Sequence, residues 1–179
     1  MQTLETERLI LRSWTEDDLD DFYAYAKNPN VGPHAGWAPH TDKTVSHVIL
    51  QSFIKKDDVW AIVEKACGRA IGSLGLHADG KRNNCRARMI GYVLREESWG
   101  QGYTTEAVRR VLQCAFEEMD LDLVSIFHYP FNQRSKRVIE KCGFRCEGVL
   151  RQASTIFDGH VYDDICYSLT REEYFASIS

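Results

Sequence analysis

Apolar and polar positions alternate from Arg8 to Trp14, and that period of two predicts a first strand. Thr15 then stands as an N-cap, with Glu16, Asp17 and Asp18 in the first turn of a predicted helix. The inward stripe of this helix reads Leu19, Phe22, Tyr23 and Ala26, and Asn28-Pro29 stops it. Residues 30–41 carry Gly, Pro, His and Trp37 without a period and read as a long loop. Asp42 caps a second helix bearing Val45, Val48, Ile49, Phe53 and Ile54. Three strands of an antiparallel meander follow, at 59–65, 70–77 and 86–94, joined by Cys67-Gly68-Arg69 and the polar turn 79–84.

The period then changes to 3.6. Ala107, Val108, Val111, Leu112, Ala115, Phe116 and Met119 share one face of a helix running from about residue 102 to 119. Residues 123–129 read as a strand. A short helix from Asn132 points Val138, Ile139 and Cys142 inward and ends at Gly143. Residues 144–157 and 160–169 flank Asp158-Gly159, a hairpin signal. The order is β-α-α-β-β-β-α-β-α-β-β, with no repeat or linker, so one mixed α/β domain over 1–179 is expected.

One junction in this order carries chemistry. The strand Met89–Leu94 runs into Ser98-Trp99-Gly100-Gln101-Gly102-Tyr103-Thr104-Thr105, and the turn opens a helix. The first N–H groups of a helix lack internal partners, and its dipole favours negative charge there. Glycines let that backbone approach a bulky anion closely. The stretch therefore reads as a pyrophosphate seat. No Gly-Lys-Ser/Thr follows, so it is not a P-loop, and the third glycine of the dinucleotide fingerprint is missing.

Bulk composition narrows the partners. A chain of 179 residues with a net charge of −4 has no basic footprint for nucleic acid. No apolar run approaches a membrane span and no signal region opens the chain, so a cytoplasmic protein without a membrane partner is expected. The six cysteines are scattered without a Cys-x-x-Cys, which fits reduced thiols; Cys142 and Cys146 read as packing residues. The histidines show no metal-ligand spacing, and no metal is expected.

The turn resembles the acetyl-CoA loop of the GNAT N-acetyltransferase superfamily, Arg/Gln-x-x-Gly-x-Gly/Ala. Here it reads Trp99-Gly100-Gln101-Gly102-Tyr103-Thr104, with Trp99 and Thr104 departing from the pattern. The wording Trp-Gly-x-Gly-Tyr-x-Thr-Glu-Ala is similar to the RimJ/RimL-like branch. Further resemblance lies in Glu7-Arg8-Leu9-Ile10-Leu11-Arg12, in Ile90-Gly91-Tyr92-Val93-Leu94, and in Asn132-x-x-Ser135-x-Arg137-Val138-Ile139-Glu140-Lys141-Cys142-Gly143-Phe144. The resemblance implies a twisted mixed sheet of about seven strands flanked by about four helices. It implies acetyl-CoA as donor and CoA as product. The amides of Gly100, Gln101, Gly102, Tyr103, Thr104 and Thr105 would hold the phosphates. The backbone of Val93 and Leu94 would pair with pantetheine, which lies in a splay between the strands 89–94 and 123–129. Asn132 and Ser135 would meet the cofactor, Ser135 near its sulfur, and Arg137 its phosphates.

Acyl transfer to an amine requires a held donor, a polarised carbonyl, a deprotonated amine and a thiolate that can leave. A thiol titrates near 8.5, so a hydroxyl such as Ser135 suffices as its acid. Asn132 and Ser135 equally suit simple helix capping. Candidates to orient or deprotonate the amine are Asp163, Asp164 and His128, the last equally a core histidine. Asp163 and Asp164 face opposite ways on a strand, so at most one points inward. Trp37 and His34 in the long loop, with His128, are candidates to line the acceptor site; Trp37 serves equally as a plug at the core edge. No cysteine sits beside a base, which favours direct attack by the amine. The expected partner is a small-molecule or peptide amine, in a monomer or homodimer. The rival reading is a catalytically silent CoA-binding or interaction module.

Overall fold

Eight strands and five helices make up the computed structural model, which describes residues 1–178. They are β1 (Leu4–Glu5), β2 (Leu9–Arg12), α1 (Leu19–Ala26), α2 (Lys43–Lys56), β3 (Val59–Glu64), β4 (Arg69–Ala78), β5 (Ala87–Leu94), α3 (Tyr103–Gln113), β6 (Leu123–His128), α4 (Gln133–Lys141), β7 (Arg145–Thr155), β8 (Val161–Thr170) and α5 (Arg171–Ile178). The strands form one mixed sheet in the order β1-β2-β3-β4-β5-β6-β8-β7. The expected fold class is the one observed, with one more strand and one more helix. No helix among the described residues is long and apolar enough to cross a membrane. The chain divides into two compact units, residues 1–75 with 92–107, and residues 76–91 with 108–178.

The core of the first unit is aromatic. Trp14, Phe22, Tyr25, Leu50 and Val63 are buried together, and the Trp14 and Phe22 rings lie 5.4 Å apart. Antiparallel ladders join β1 to β2, β2 to β3 and β3 to β4. Of the apolar residues expected on α2, Ile49, Phe53 and Ile54 pack against the core, whereas Val48 is 64% exposed and the fully buried positions are Leu50 and Ser46. Buried His40 meets the Ser46 hydroxyl through Nδ1 at 2.7 Å. The expected loop 30–41 is also shorter, because Gly32–Ala35 form a 3-10 turn.

In the second unit β5 and β6 are parallel, paired from Ala87–Leu123 to Met89–Ser125. Strand β6 pairs with β8 along its whole length. Helix α3 continues through a π-helical turn at Cys114–Glu118 that keeps Phe116 fully buried. The hairpin β7–β8 was expected, but its loop is Ile156–His160 rather than two residues. Strand β7 is exposed along most of its length and its pairing is interrupted twice, between Cys146 and Gly148 and between Leu150 and Ser154. Cys146 is therefore exposed rather than a packing residue, while Cys142 is buried and burial pushes its thiol up to about 11. The polar turn 79–84 is not merely solvated. Asp79 is buried, accepts from Ser125 Oγ at 2.6 Å and pairs with Arg82, which also pairs with Glu147.

Candidate functional site

In the first unit the site is built around the entry of α3. Gly100 and Gly102 have φ of +76° and +85°, a region open to glycine and costly for other residues. Helix α3 starts at Tyr103, and the first backbone bond behind it runs from Glu106 N to Gly102 O at 3.0 Å. The amides between these points form the N-terminal turn, where a helix leaves its donors unmatched. A Cβ at Gly100 would meet nothing within 4 Å, so the loop face there is open.

The loop is fastened from behind. Glu106 accepts from Thr6 Oγ1 at 2.6 Å, from Arg8 N at 2.9 Å and from Arg8 Nε at 2.7 Å. Burial pushes the Glu106 carboxyl up, but these hydrogen bonds outweigh it and hold the group below the usual range. Arg8 Nη1 also donates to Gln101 O at 3.0 Å, and its guanidinium lies 4.4 Å from the Tyr103 ring centroid. Tyr103 OH donates to Glu64 at 2.6 Å. These partners lie far apart in sequence, and no local spacing announces them.

Trp99, the departure from the acetyl-CoA loop pattern, has a structural job. Its Nε1 donates to Leu94 O at 2.8 Å, bracing the end of β5 against the turn. Val93 O crowds Gly72, where a Cβ would overlap it, so the Val93 backbone faces β4. Backbone groups alternate along a strand, so Tyr92 and Leu94 present theirs to the other side. Of the two residues expected to pair with pantetheine, Val93 thus faces β4, while Leu94 faces the other side with its carbonyl engaged by Trp99. His34 donates through Nδ1 to Asn30 O at 2.9 Å. Trp37 is half-buried and packs on the core cluster, 5.2 Å from the His40 ring.

The second unit holds the other candidates. Asn132 is the N-cap of α4 and its Oδ1 accepts from the backbone N of Ser135 at 3.1 Å. The cap engages the Ser135 amide. Arg137 is exposed on α4. His128 is buried at the end of β6; Nδ1 donates to the Tyr129 carbonyl at 2.8 Å, which leaves the lone pair on Nε2, and Nε2 has no partner. The expected core histidine is thus satisfied at one nitrogen only. Of the two neighbouring carboxylates on β8, Asp164 is the fully buried one. Asp163 faces outward and accepts from Gln152 N at 2.7 Å.

A model of the "Acetyltransferase (GNAT) domain" matches residues 8–145. The "Uncharacterized N-acetyltransferase YoaA" of Bacillus subtilis (strain 168) is 30% identical over 173 residues, covering 94% of this chain and 96% of its own. An acetyltransferase (GNAT family) from Bacillus anthracis superposes with a TM-score of 0.87 at 22% identity, over 96% of this chain and all of that one. The Microcin C7 self immunity acetyltransferase MccE, solved with acetyl-CoA and AMP, superposes at 0.79 and 20% identity, over 92% and 93%. Fold, loop and relatives agree: the chain belongs to the GNAT family and is an N-acetyltransferase.

Proposed function

We propose that the chain transfers the acetyl group of acetyl-CoA to a primary amine, by direct attack of the amine, as a RimJ/RimL-like member of its family. The observation that carries this is the turn 98–105: two glycines at positive φ, a helix entry, and open space at Gly100. Acetyl-CoA supplies a thioester when bound. The chain's own part begins with the amides of Gln101 to Thr105, which hold the pyrophosphate. The fit is supported by Arg8, which fastens the carbonyl of Gln101 and so aims the amides outward. The Tyr92 backbone and the Leu94 N–H pair with the pantetheine amides. The Ser135 hydroxyl, at the first turn of α4, would hydrogen-bond the departing sulfur and pass it a proton that the attacking amine's lost proton replaces. Acetylation of protein N-termini and of small amines both fit this chemistry.

The test is release of free thiol from acetyl-CoA against a panel of N-terminal peptides and small amines. Turnover above the background hydrolysis rate with at least one amine supports the reading. Tight acetyl-CoA binding with no turnover on any amine would instead establish a silent CoA-binding module.

A further inference from the structure

The second unit contains a buried carboxylate that is only half used. Asp164 is 0% exposed. Its Oδ2 takes the ammonium of Lys81 at 2.7 Å, while its Oδ1 has no hydrogen-bond partner. A buried carboxylate oxygen without a donor is costly, and native structures keep few of them. Burial alone therefore does not explain why an aspartate stands here.

What surrounds it is aromatic. Lys81 Nζ lies 4.6 Å from the centroid of Phe127. Phe127 and Tyr129 share one face of β6, with their rings 5.8 Å apart and nearly perpendicular. Tyr162, two residues before Asp164 on β8, sits 6.0 Å from Tyr129 and 5.0 Å from Phe131. Phe131 stacks on Tyr129 at 5.5 Å and is 41% exposed. The rings thus lead from the surface at Phe131 inward to Tyr129, whose hydroxyl is pushed up by burial and further by the Asp164 charge.

A carboxylate combined with ring faces is the chemistry that selects alkylammonium groups. The seat already holds one, since Lys81 is an ammonium on a four-carbon stem. Lys81 belongs to the surface turn 79–84 and its side chain is one-third exposed, so it can leave without unfolding a strand.

We propose that Asp164, with Phe127, Tyr129, Phe131 and Tyr162, is the recognition seat for a cationic amine acceptor, an aliphatic amine that carries a second positive charge. The ligand's non-reacting ammonium takes the place of Lys81 and engages both Asp164 oxygens. Its alkyl chain runs outward along Tyr129 and Phe131, and its other amine is the one acetylated. Lys81 is the resident competitor that fills the seat when no acceptor is bound. The assignment of this seat to an acceptor rests on the acetyltransferase reading above, but binding at the seat does not.

The test is therefore binding, measured by calorimetry in the absence of acetyl-CoA. The probes are 1,5-diaminopentane, pentylamine and pentanol. The diamine and pentylamine, which offer the seat the same ammonium and chain, are expected to bind within a few-fold of each other, with no binding of the alcohol. Phe131→Ala should weaken the diamine several-fold. Lys81→Met should tighten it and, having left Asp164 unpaired, should show a lowered thermal midpoint that the diamine restores and the alcohol does not. A purely structural ion pair predicts the same lowered midpoint without rescue. Asp164→Asn should erase the preference for amines over the alcohol; should that variant not fold, the Lys81→Met rescue decides alone. Equal affinity for the diamine and the alcohol, or no rescue of Lys81→Met, overturns the proposal. Failure of turnover with all amines while the diamine still binds would overturn the acetyltransferase reading and leave the seat standing.

Discussion

Gly72→Ala should disturb both the stability of the first unit and its grip on the donor. The added Cβ would overlap Val93 O and stand 3.0 Å from Leu94 Cα and 3.1 Å from Leu94 Cδ1. Unstrained carbon contacts lie at about 3.5–4.0 Å, so the end of β5 must give way by about half an ångström or more. The neighbours are mostly backbone, which cannot rotate aside as a side chain can. Overpacking of this kind costs about 1–3 kcal/mol, or roughly 2–12 °C in thermal midpoint for a chain of this size. The displaced residues include Leu94, proposed to pair with pantetheine. Loss of one such hydrogen bond, about 1 kcal/mol, weakens acetyl-CoA roughly fivefold. Gly91→Ala is the control, because a Cβ there meets nothing within 4 Å and the change should stay within about 0.5 kcal/mol. Thermal unfolding and acetyl-CoA titration on both variants decide. A Gly72→Ala protein with parental midpoint and parental affinity would refute the reasoning from β4–β5 spacing.

Three further outcomes are expected. Gly102→Asp forces a non-glycine residue to φ +85° and adds charge beside the helix entry; calorimetry should find acetyl-CoA binding abolished in a folded protein. Ser135→Ala keeps the amide that Asn132 caps, so the midpoint should hardly move while kcat falls about ten- to a hundredfold with a smaller change in KM; unchanged kcat would remove Ser135 from the chemistry. His40 is held below its ordinary value of 6.5 by burial, so the folded chain resists its protonation. Its contribution is complete above pH 6.5 and declines as pH falls below that value, until the folded form also takes the proton. Denaturant midpoints from pH 7.5 to 5 should show a slope that flattens in His40→Asn, and an equal slope in both proteins would exclude His40 as its source.

The pattern of apolar residues was enough to place most of the elements, because α1, α3 and α4 bury one stripe each and β3 and β4 are nearly continuous buried runs. On α2 it was right for Ile49, Phe53 and Ile54 but not for the valines, and it could not show that Ser46 is buried against His40. Strand β1 is two residues long, too short for any period to register. Helix α5 was missed, although its start carries a signal that could have found it: Thr170 N donates to the Glu173 carboxylate and Glu173 N to Thr170 Oγ1. At the site, the glycine turn and the Asn132 cap are local in sequence and could be read. The fastening of the turn by Thr6, Arg8 and Glu64 joins segments about forty to a hundred residues apart, and only the folded chain brings them together. The partners of the polar turn 79–84 on β6, β7 and β8 are distant in the same way.

The two breaks in β7 bear on how this chain behaves in crowded solution. An open edge recruits a neighbouring chain when it offers a long row of N–H and C=O groups in phase. Here the longest unbroken stretch is Gly148–Leu150, set off by a bulge on one side and by Gln152, at φ +51°, on the other. An incoming strand could match a few groups before its own pleat fell out of step. Exposed Val149 and Leu150 are thereby carried on a rail too short to template a fibre.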